Sequence, residues 1–212
     1  MRLFTLPGVF RPRSDSWMLA RAVAERVEPG DQVLDPYTGS GVLALAAALK
    51  GAEATAVDIS RRAVLSARIN AALNGVSLRT VRSATLDPLN GQRFDLIAAN
   101  PPYLPGPAGE ASGAARAWEG GPDGRTFIDR LCHEAPARLK PGGRLLLTHS
   151  SVCGEEATFA ELTRAGLVPR VIVRHTGPLG PLLAERAEEL RIAGREVGSE
   201  EEVLVFEAAL PA

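Results

Sequence analysis

The tetrapeptide Asn100-Pro101-Pro102-Tyr103, which follows an apolar run at residues 94–99, combines groups that could act on a nitrogen atom. An amide or exocyclic amine nitrogen is a weak nucleophile because its lone pair is delocalised. The Asn100 side-chain oxygen and a backbone carbonyl of the Pro-Pro segment can each accept a hydrogen bond from one N–H group of such a nitrogen. The lone pair then points at an electrophile, and positioning supplies much of the catalysis. The prolines stiffen the loop because they fix φ, and Tyr103 offers a flat face for stacking. The pattern predicts group transfer to nitrogen; the alternative is a proline-rich turn that closes a strand.

Residues 33–41 have the pattern of a strand, a tight turn and the start of a helix, which is typical of a cofactor-binding turn. Gly39 and Gly41 let the backbone approach a ligand closely, and the helix N-terminus favours negative charge. The run from Gly39 to Ala44 also satisfies the dinucleotide pattern G-x-G-x-x-A. A nicotinamide-dependent dehydrogenase is therefore a competing interpretation at this point.

Two acidic residues help to separate these interpretations. Asp35 ends the first predicted strand, where it can bind the ammonium of a methionine moiety but would repel a pyrophosphate. Asp58 ends the second predicted strand and can accept hydrogen bonds from ribose hydroxyls in either case. Each could instead cap a helix. Their combination with Asn100 after the fourth predicted strand favours S-adenosylmethionine (SAM) over a nicotinamide cofactor.

The elements that must position these residues alternate along the chain. The predicted strands are 32–35, 54–58, 77–82, 94–99, 144–149, 168–173 and 202–207, and the predicted helices are 17–27, 41–50, 60–74, 125–139, 155–165 and 182–193. Residues 101–124 are predicted as a loop and residues 141–143 as a turn, while Ser60 and Gly75 are the expected caps of the third helix. Strands alternating with helices predict a doubly wound α/β sheet.

The overall composition is that of an ordinary globular protein. The 212 residues are 45% hydrophobic and 23% charged, with a net charge of −1 and only two lysines, Lys50 and Lys140. This balance does not favour duplex nucleic acid as a partner. Cys132 and Cys153 are too few for a metal site or a disulfide framework, so no metal is predicted. The first ten residues lack the pattern of a signal peptide and no apolar stretch is long enough to span a membrane, so we expect a cytoplasmic protein without a membrane partner.

Nearly the whole chain resembles the HemK-type N5-glutamine methyltransferases, in particular their short branch. This is a family of SAM-dependent N-methyltransferases of the Asn-Pro-Pro-Tyr class. Residues 10–19 are similar to the family's aromatic-x-Pro-x-x-Asp-Ser/Thr segment, and residues 118–125 resemble its Gly-Gly-x-x-Gly segment. The resemblance implies a Rossmann-like, seven-stranded methyltransferase sheet, mostly parallel with a reversed last strand. It also implies one domain over residues 1–212, with an N-terminal segment and helix at 1–28.

The resemblance further implies the residues of the site. The catalytic residues would be Asn100, Pro101, Pro102 and Tyr103, and the cofactor-binding residues Ser16, Asp35, Tyr37, Gly39, Gly41, Asp58, Ile59, Ala84, Thr85 and Asn100. No histidine is assigned a proton transfer, because methyl transfer from a sulfonium does not need a base; whether His149 lines the site stays open.

Several departures from the family pattern concern the acceptor. Ala84 stands where the family carries an Asp facing adenine, and Tyr37 stands where glycine is common. The sequence shows no N-terminal helical domain like that of long bacterial members. Residues 176–201 form an atypical helical insertion near the C-terminus, longer than the expected hairpin.

The predicted activity is SAM-dependent N-methylation. The first hypothesis for the acceptor is a glutamine side-chain amide of a protein such as a class-1 peptide release factor, within its Gly-Gly-Gln motif. The alternatives are a small guanidino, amino or amide metabolite, and then a nucleic-acid base; a SAM-binding scaffold is the non-enzymatic alternative. The sequence leaves open whether a small activator protein is required.

Overall fold

The computed structural model describes residues 1–106, 113, 115–192, 194–195 and 197–212. The strands are β1 Gln32–Pro36, β2 Glu53–Asp58, β3 Arg79–Arg82, β4 Phe94–Ala99, β5 Leu139–Ser150, β6 Val168–Pro178 and β7 Glu200–Ala209. The helices are α1 Ser14–Arg26, α2 Val42–Ala48, α3 Arg61–Leu73, α4 Thr126–Arg138, α5 Glu155–Arg164 and α6 Pro181–Ile192.

The seven strands form one sheet in the order β3-β2-β1-β4-β5-β7-β6. β7 pairs antiparallel with both β5 and β6, while β1 pairs in parallel with β2 and β4. The predicted sheet, mostly parallel with a reversed last strand, is confirmed. The strand order reverses between β1 and β4, and ligands of open α/β sheets bind at the carboxyl ends of the strands beside such a reversal.

Helices cover both faces of the sheet, which explains why the central strands are apolar throughout. In β4, Leu96 and Ala98 belong to the cluster formed with α1 and α2, whereas Ile97 and Ala99 belong to the cluster formed with α4 and α5. The continuous apolar run before Asn100 is therefore a strand buried on both sides. It delivers Asn100 to the edge of the sheet from a rigid support.

Helix α3 begins and ends where its caps were predicted. The Ser60 side chain accepts a hydrogen bond from the Ala63 amide at 3.3 Å, and Gly75 follows the helix with φ 67°. The Ser oxygen satisfies an otherwise free amide of the first turn, and glycine adopts the left-handed conformation without strain.

The predicted turn at residues 141–143 is wrong in its placement, because β5 already begins at Leu139. The pairing between β4 and β5 shifts between Phe94 and Leu96, and the extra residues of β5 bulge there. Gly142 has φ 74°, and its amide donates to the Leu210 carbonyl at 3.1 Å. The Pro-Gly-Gly sequence thus marks a bulge inside a strand, for which glycine is as suitable as for a turn.

The predicted insertion at residues 176–201 contains α6. β6 extends to Pro178 and β7 begins at Glu200, so α6 joins two strands that are longer than predicted. Ala193, the predicted last residue of this helix, lies outside the described residues, as do residues 107–112 and 114 of the predicted loop.

Candidate active site

The carboxyl ends of β1, β2 and β4 bring three predicted side chains to one edge of the sheet. Asp35 is the penultimate residue of β1, Asp58 is the last residue of β2, and Asn100 directly follows β4. All three line a cavity of about 710 Å³, which we call the cofactor cavity. The parallel pairing of these strands is what makes distant parts of the sequence meet there.

Most of the residues predicted to bind the cofactor line this cavity. They are Ser16, Asp35, Tyr37, Gly39, Asp58, Ile59, Ala84, Thr85 and Asn100. Gly41 lies instead against α3: its φ is 86°, and a Cβ there would stand 2.9 Å from the Cβ of Ala67. A glycine at this position therefore allows the turn to pack closely on α3.

Asp35 has one carboxyl oxygen bonded and one without a partner. Its Oδ2 accepts from the Thr38 hydroxyl at 2.6 Å and from the Ala44 amide at 3.0 Å. Its buried Oδ1 has no hydrogen-bond partner among the described residues. Burial raises the pKa of Asp35 to about 7, against the lowering effect of the two hydrogen bonds. A cation placed at Oδ1 would satisfy that atom and stabilise the charge, so this residue fits the ammonium of an amino-acid moiety.

Asp58 is held by two backbone amides. The Gly39 amide donates to Oδ2 at 2.9 Å and the Ser60 amide donates to Oδ1 at 2.8 Å. Burial raises the pKa of Asp58, and these amide bonds oppose the rise. Each oxygen keeps acceptor capacity for a further donor, as two vicinal hydroxyls would require.

Tyr37 occupies a backbone conformation that favours glycine. Its φ is 62°, and among the described residues it is the sole non-glycine with a positive φ. Its ring packs edge-on against Phe127 at a centroid distance of 5.5 Å, and burial raises its pKa to about 12. An αL residue with a Cβ costs roughly 1–2 kcal/mol, which the ring contact offsets. The side chain thereby adds an aromatic wall to the cofactor cavity.

The turn after β3 forms another part of the cavity wall. Ser83, Ala84 and Thr85 all line it. The Thr85 hydroxyl donates to Asp87 at 2.7 Å, and the Thr85 amide donates to the Ser83 hydroxyl at 3.2 Å. Ala84 has no polar side chain, so the polar groups that this turn presents to the cavity belong to Ser83, Thr85 and the backbone.

The N-terminal segment runs along α3 on a series of hydrogen bonds that the sequence interpretation missed. Backbone amides donate to acceptors spaced four residues apart on the helix: Leu6 to Ser66 (3.2 Å), Phe4 to Asn70 (2.6 Å) and Arg2 to Asn74 (2.7 Å). Four residues of helix rise about 6 Å and two residues of extended chain advance about 6.6 Å, so the two repeats match. Polar residues at helical spacing in an alanine-rich helix were the available signal.

Asn70 also connects this segment to the turn after β1. It is fully buried, and its amide group donates to the carbonyls of Phe4 and Ser40, both at 2.8 Å. The chain then continues over the cofactor cavity, where Gly8, Val9, Phe10 and Pro12 line it. The N-terminal segment thus forms one wall of the cavity.

Asn100 is bonded to the first turn of α1. Its Nδ2 donates to the Asp15 Oδ2 at 3.1 Å and to the Ser16 hydroxyl at 3.0 Å. The Tyr103 hydroxyl donates to the same Asp15 oxygen at 2.9 Å. Burial, and then the charge of Asp15, raise the pKa of Tyr103 well above its usual value. Asp15 and residues 100–103, the predicted catalytic loop, therefore form one partly buried polar group.

Residues 118–124 pack directly against the catalytic loop. Leu104 pairs with Glu119, and its amide donates to the Trp118 carbonyl at 2.7 Å. A Cβ at Gly120 would lie 2.6 Å from the Pro102 carbonyl oxygen, and one at Gly124 would lie 2.2 Å from that of Tyr103. The Gly-Gly-x-x-Gly pattern is explained by this contact, because only glycine allows the two backbones so close.

A second, smaller cavity shares Asn100 with the cofactor cavity. It measures about 130 Å³, and we call it the acceptor pocket. Its walls include Phe10, Arg13, Asp15, Asn100, Pro101, Tyr103, Trp118, Leu182, Leu183 and Glu201. Asn100 lines both cavities, so this residue lies where the two adjoin.

Helix α6 closes one side of the acceptor pocket. Arg186 forms an ion pair with Glu119, and its guanidinium donates to the Pro105 carbonyl at 3.0 Å. Glu201 accepts from the Ser150 hydroxyl at 2.5 Å and from the Gly180 amide at 2.7 Å, which fixes the start of this helix. No pattern in the sequence indicates that Arg186 pairs with Glu119 or that Glu201 binds Ser150 and Gly180.

His149 is not a wall of either cavity. It is fully buried, stacks on Phe206 at a centroid distance of 4.7 Å, and contacts the Thr158 hydroxyl at 2.9 Å. Burial lowers the pKa of His149 to about 4, against the raising effect of its bond to the Ser150 carbonyl. His149 is therefore neutral at physiological pH and serves packing, which answers the question that the sequence left open.

Comparison with known proteins places this site in a family. The profile of the family described as methyltransferase small domain matches residues 1–166. The chain belongs to this family. The expected resemblance to glutamine methyltransferases is confirmed as well, and the chain carries the SAM-dependent methyltransferase fold.

Two relatives and one solved structure illustrate the similarity. A Methanocaldococcus jannaschii protein with the provisional name protein N5-glutamine methyltransferase is 36% identical over 187 residues, which cover 87% of this chain and 93% of that protein. A release factor glutamine methyltransferase of Moorella thermoacetica is 35% identical over 196 residues, covering 86% and 69%. A chain of the E. cuniculi Mtq2–Trm112 complex, responsible for methylation of the eRF1 translation termination factor, has a TM-score of 0.67 at 21% identity, covering 96% and 99%. That last similarity concerns the fold alone.

In the part of the chain that the structure describes, no helix is both long and apolar enough to cross a membrane.

Proposed function

We propose that this chain is a SAM-dependent methyltransferase that acts on the side-chain amide of a protein glutamine, in the Gly-Gly-Gln motif of a class-1 peptide release factor. The observation that carries the proposal is the position of Asn100 in the walls of both cavities, with its amide hydrogens bonded to Asp15 and Ser16. The amide oxygen takes no part in those bonds and can accept an N–H from a nitrogen in the acceptor pocket.

In the proposed assignment, SAM would be held in the cofactor cavity by Asp35 and Asp58. Asp35 would bind the ammonium of the methionine moiety and Asp58 the ribose hydroxyls, while Tyr37, Ile59 and the turn at Ala84 and Thr85 would pack around the rest. The free, buried Oδ1 of Asp35 supports this fit. SAM supplies an electrophilic methyl group on a positively charged sulfur.

The acceptor nitrogen would be oriented by two carbonyl groups. Asn100 contributes one, and the Pro-Pro segment contributes the other. The Pro102 oxygen faces Gly120 closely enough that a Cβ there would lie 2.6 Å from it, so we assign the second acceptor to Pro101, which lines the acceptor pocket. Two fixed acceptors align the nitrogen lone pair with the methyl group and exclude water from the nitrogen, which is catalysis by positioning and electrostatics.

A carboxamide suits the acceptor pocket. The pocket is narrow and largely apolar, with Phe10, Trp118 and Leu183 in its walls. These groups can surround the aliphatic part of a glutamine side chain, and Tyr103 offers its ring to the planar amide. The identity of the Moorella thermoacetica relative as a release factor glutamine methyltransferase supports the same acceptor.

The second candidate is a small guanidino, amino or amide metabolite. The observation in its favour is α6, which closes one side of the pocket through Arg186 and Glu119. A pocket bounded on that side would suit a free small molecule better than a side chain presented by a large protein.

A direct competition tests the proposal. The enzyme and labelled SAM are incubated separately with an intact release factor, a panel of guanidino and amino metabolites, and RNA, and mass spectrometry locates the methyl group. A second arm adds a partner protein, since the similar E. cuniculi chain occurs with Trm112. We expect one methyl on the Gly-Gly-Gln glutamine, and none when that glutamine is replaced by glutamate. An unmodified release factor in both arms, with a methylated metabolite, would exclude the protein acceptor.

A further inference from the structure

Asp15 is the point at which the first turn of α1 meets the catalytic loop. Its side chain is only 5% exposed. The Asp15 Oδ2 accepts from the Asn100 amide group at 3.1 Å and from the Tyr103 hydroxyl at 2.9 Å, across 85 and 88 positions of sequence. One carboxyl oxygen therefore holds both functional side chains of the loop.

Ser16 forms hydrogen bonds with both Asp15 and Asn100, and these bonds fix which atoms donate and which accept. The Ser16 amide donates to the Asp15 Oδ1 at 2.6 Å, and the Ser16 hydroxyl donates to the same oxygen at 3.1 Å. Because that hydroxyl proton is directed at Asp15, its oxygen remains an acceptor for the Asn100 Nδ2 at 3.0 Å. Both hydrogens of the Asn100 amide are therefore used, and the amide oxygen must point the other way.

The orientation of this amide matters for the chemistry. A rotation of the Asn100 side chain by half a turn would present N–H donors to an acceptor nitrogen that itself carries N–H bonds, and the contact would be repulsive. A carboxylate has no donor, so it admits only the amide nitrogen of Asn100 on its side. We propose that Asp15 is a positioning residue that selects the productive amide orientation of Asn100 and fixes the ring of Tyr103 beside it.

This inference rests on the proposed N-methyl transfer. The plain structural alternative is that Asp15 only stabilises α1, since an acidic residue in the first turn interacts favourably with the free amides of a helix N-terminus. The bond to the Ser16 amide is compatible with either role. The two bonds to the catalytic loop are what a helix-stabilising role does not require.

The first test is kinetic and uses Asp15→Asn in the full chain. Asparagine keeps the size of the side chain but replaces one acceptor oxygen with a donor. We expect kcat to fall by about tenfold to hundredfold, with KM and the affinity for S-adenosylhomocysteine within about threefold. The matched control is Glu156→Gln, which removes an acidic residue from the first turn of α5 and should leave kcat unchanged. Equal kcat for Asp15→Asn and the wild type would overturn the inference.

A double-mutant cycle shows whether Asp15 acts through Asn100. In the Asn100→Ala background no amide remains to be oriented, so adding Asp15→Asn should lower kcat by less than about threefold. A full additional loss in that background would mean that Asp15 acts independently of Asn100 and would overturn the inference.

A spectroscopic test needs no methyl acceptor. The chain contains two tyrosines, Tyr37 and Tyr103, so carbon-13 labelling of the tyrosine ring gives two signals, which Tyr103→Phe assigns. Asp15→Asn should shift the ring carbon that carries the hydroxyl of Tyr103 and leave that of Tyr37 in place. An unmoved Tyr103 signal would overturn the inference. If instead the wild type methylates no release factor but the Tyr103 signal moves, the glutamine acceptor fails and the arrangement around Asp15 stands.

Discussion

The cofactor cavity and the acceptor pocket differ in how much of their walls comes from local sequence motifs. The cofactor cavity, about 710 Å³, takes about half of its walls from the chain around the carboxyl ends of β1, β2 and β3, and the rest from the N-terminal segment, the residues after β4 and α4. The acceptor pocket, about 130 Å³, takes its walls from six separate stretches of the chain, within residues 10–15, 100–104, 117–118, 150–152, 180–183 and 201–203. Local motifs therefore describe the part of the first cavity at the strand ends, whereas long-range packing assembles the rest of it and all of the second.

Asp35 and Asp58 of the cofactor cavity differ from Asp15 and Glu201 of the acceptor pocket in their hydrogen bonds. Asp35 and Asp58 keep acceptor capacity, and burial raises the pKa of both. Asp15 and Glu201, in the acceptor pocket, are bonded to groups of the protein itself. The first pair is arranged for a ligand, whereas the second pair orients the walls. A change in the first cavity should therefore appear as lost cofactor affinity, and a change in the second as altered turnover or acceptor KM.

Asn100 belongs to both cavities, and its replacement should have the largest effect. Asn100→Ala removes an acceptor that acts mainly in the transition state, so kcat should fall by about 10²–10³. S-adenosylhomocysteine affinity, measured by calorimetry, should change much less. Asn90→Ala, at an exposed asparagine, is the control. Near-normal turnover of Asn100→Ala on the true acceptor would remove Asn100 from the mechanism.

Gly120→Ala should lower turnover by displacing the catalytic loop, whose Pro101 and Tyr103 line the acceptor pocket and whose Pro102 lines the cofactor cavity. The new Cβ would lie 2.6 Å from the Pro102 carbonyl oxygen, so the catalytic loop must move. A displacement of about 1 Å costs on the order of 10² in rate, and we expect kcat/KM to fall by that amount. In Gly198→Ala the new Cβ meets nothing closer than 3.8 Å, and activity should be retained. Equal activity of the two variants would contradict the proposed role of the glycines.

Asp58→Ala should give the opposite result. Loss of hydrogen bonds to a charged group costs about 1.5–3 kcal/mol, and S-adenosylhomocysteine affinity should weaken accordingly in calorimetry. The acceptor KM at saturating SAM should stay the same. Tight NADH binding with no response to S-adenosylhomocysteine would falsify the cofactor assignment.

Cofactor affinity should depend on pH through Asp35. Its pKa of about 7 in the free protein means that the carboxyl is mostly protonated below pH 7, when it cannot pair with an ammonium. The dissociation constant of S-adenosylhomocysteine should therefore rise about tenfold per pH unit below 7 and level off above it.

Asp35→Asn tests whether the charge of Asp35 causes this pH dependence of affinity. Burial raises the pKa of Asp35 in the folded protein to about 7. The protonated carboxyl therefore contributes to the free energy of unfolding at low pH, and this contribution is lost as the pH rises through about 7. The uncharged variant should thus bind S-adenosylhomocysteine weakly with no pH dependence, and its Tm at pH 8 should exceed that of the wild type. A wild-type dissociation constant that is flat between pH 6 and 8 would exclude Asp35 as the ammonium ligand.

Arg186→Ala should have the smallest effect, and we expect it mainly in the acceptor KM because Leu182 and Leu183 of α6 line the acceptor pocket. The change removes the ion pair with Glu119 and the bond to the Pro105 carbonyl. At about 0.5–1.5 kcal/mol for a hydrogen bond, the acceptor KM should change by about two- to tenfold, with S-adenosylhomocysteine affinity unaltered. Arg21→Ala, at an exposed i,i+4 pair, is the control. An unchanged KM and unchanged choice among acceptors would show that α6 does not shape the pocket.

Much of the fold was predictable, and the exceptions have physical causes. The residues of β4 were predicted with the observed bounds, Phe94–Ala99, because a short apolar run before Asn-Pro-Pro has few alternatives. The start of β5 was wrong because Pro-Gly-Gly suits a bulge as well as a turn, and only pairing with β4 and the Leu210 region distinguishes the two. The packing of Gly41 on Ala67 could not be predicted either, because the spacing of the glycines does not show which helix the turn contacts.

The sequence by itself determined the chemistry of the cofactor cavity and of the catalytic loop. Asp35, Asp58 and Asn100 each stand at the end of a buried strand, and parallel strands necessarily bring such ends to one edge. Only the tertiary structure decided which groups orient that chemistry. The contacts of Asp15 with Asn100 and Tyr103, of Gly120 with the Pro102 carbonyl and of Arg186 with Glu119 join residues that are far apart in sequence. A contact of this kind leaves no local period or spacing in the chain, because it arises when separate elements pack on the same sheet.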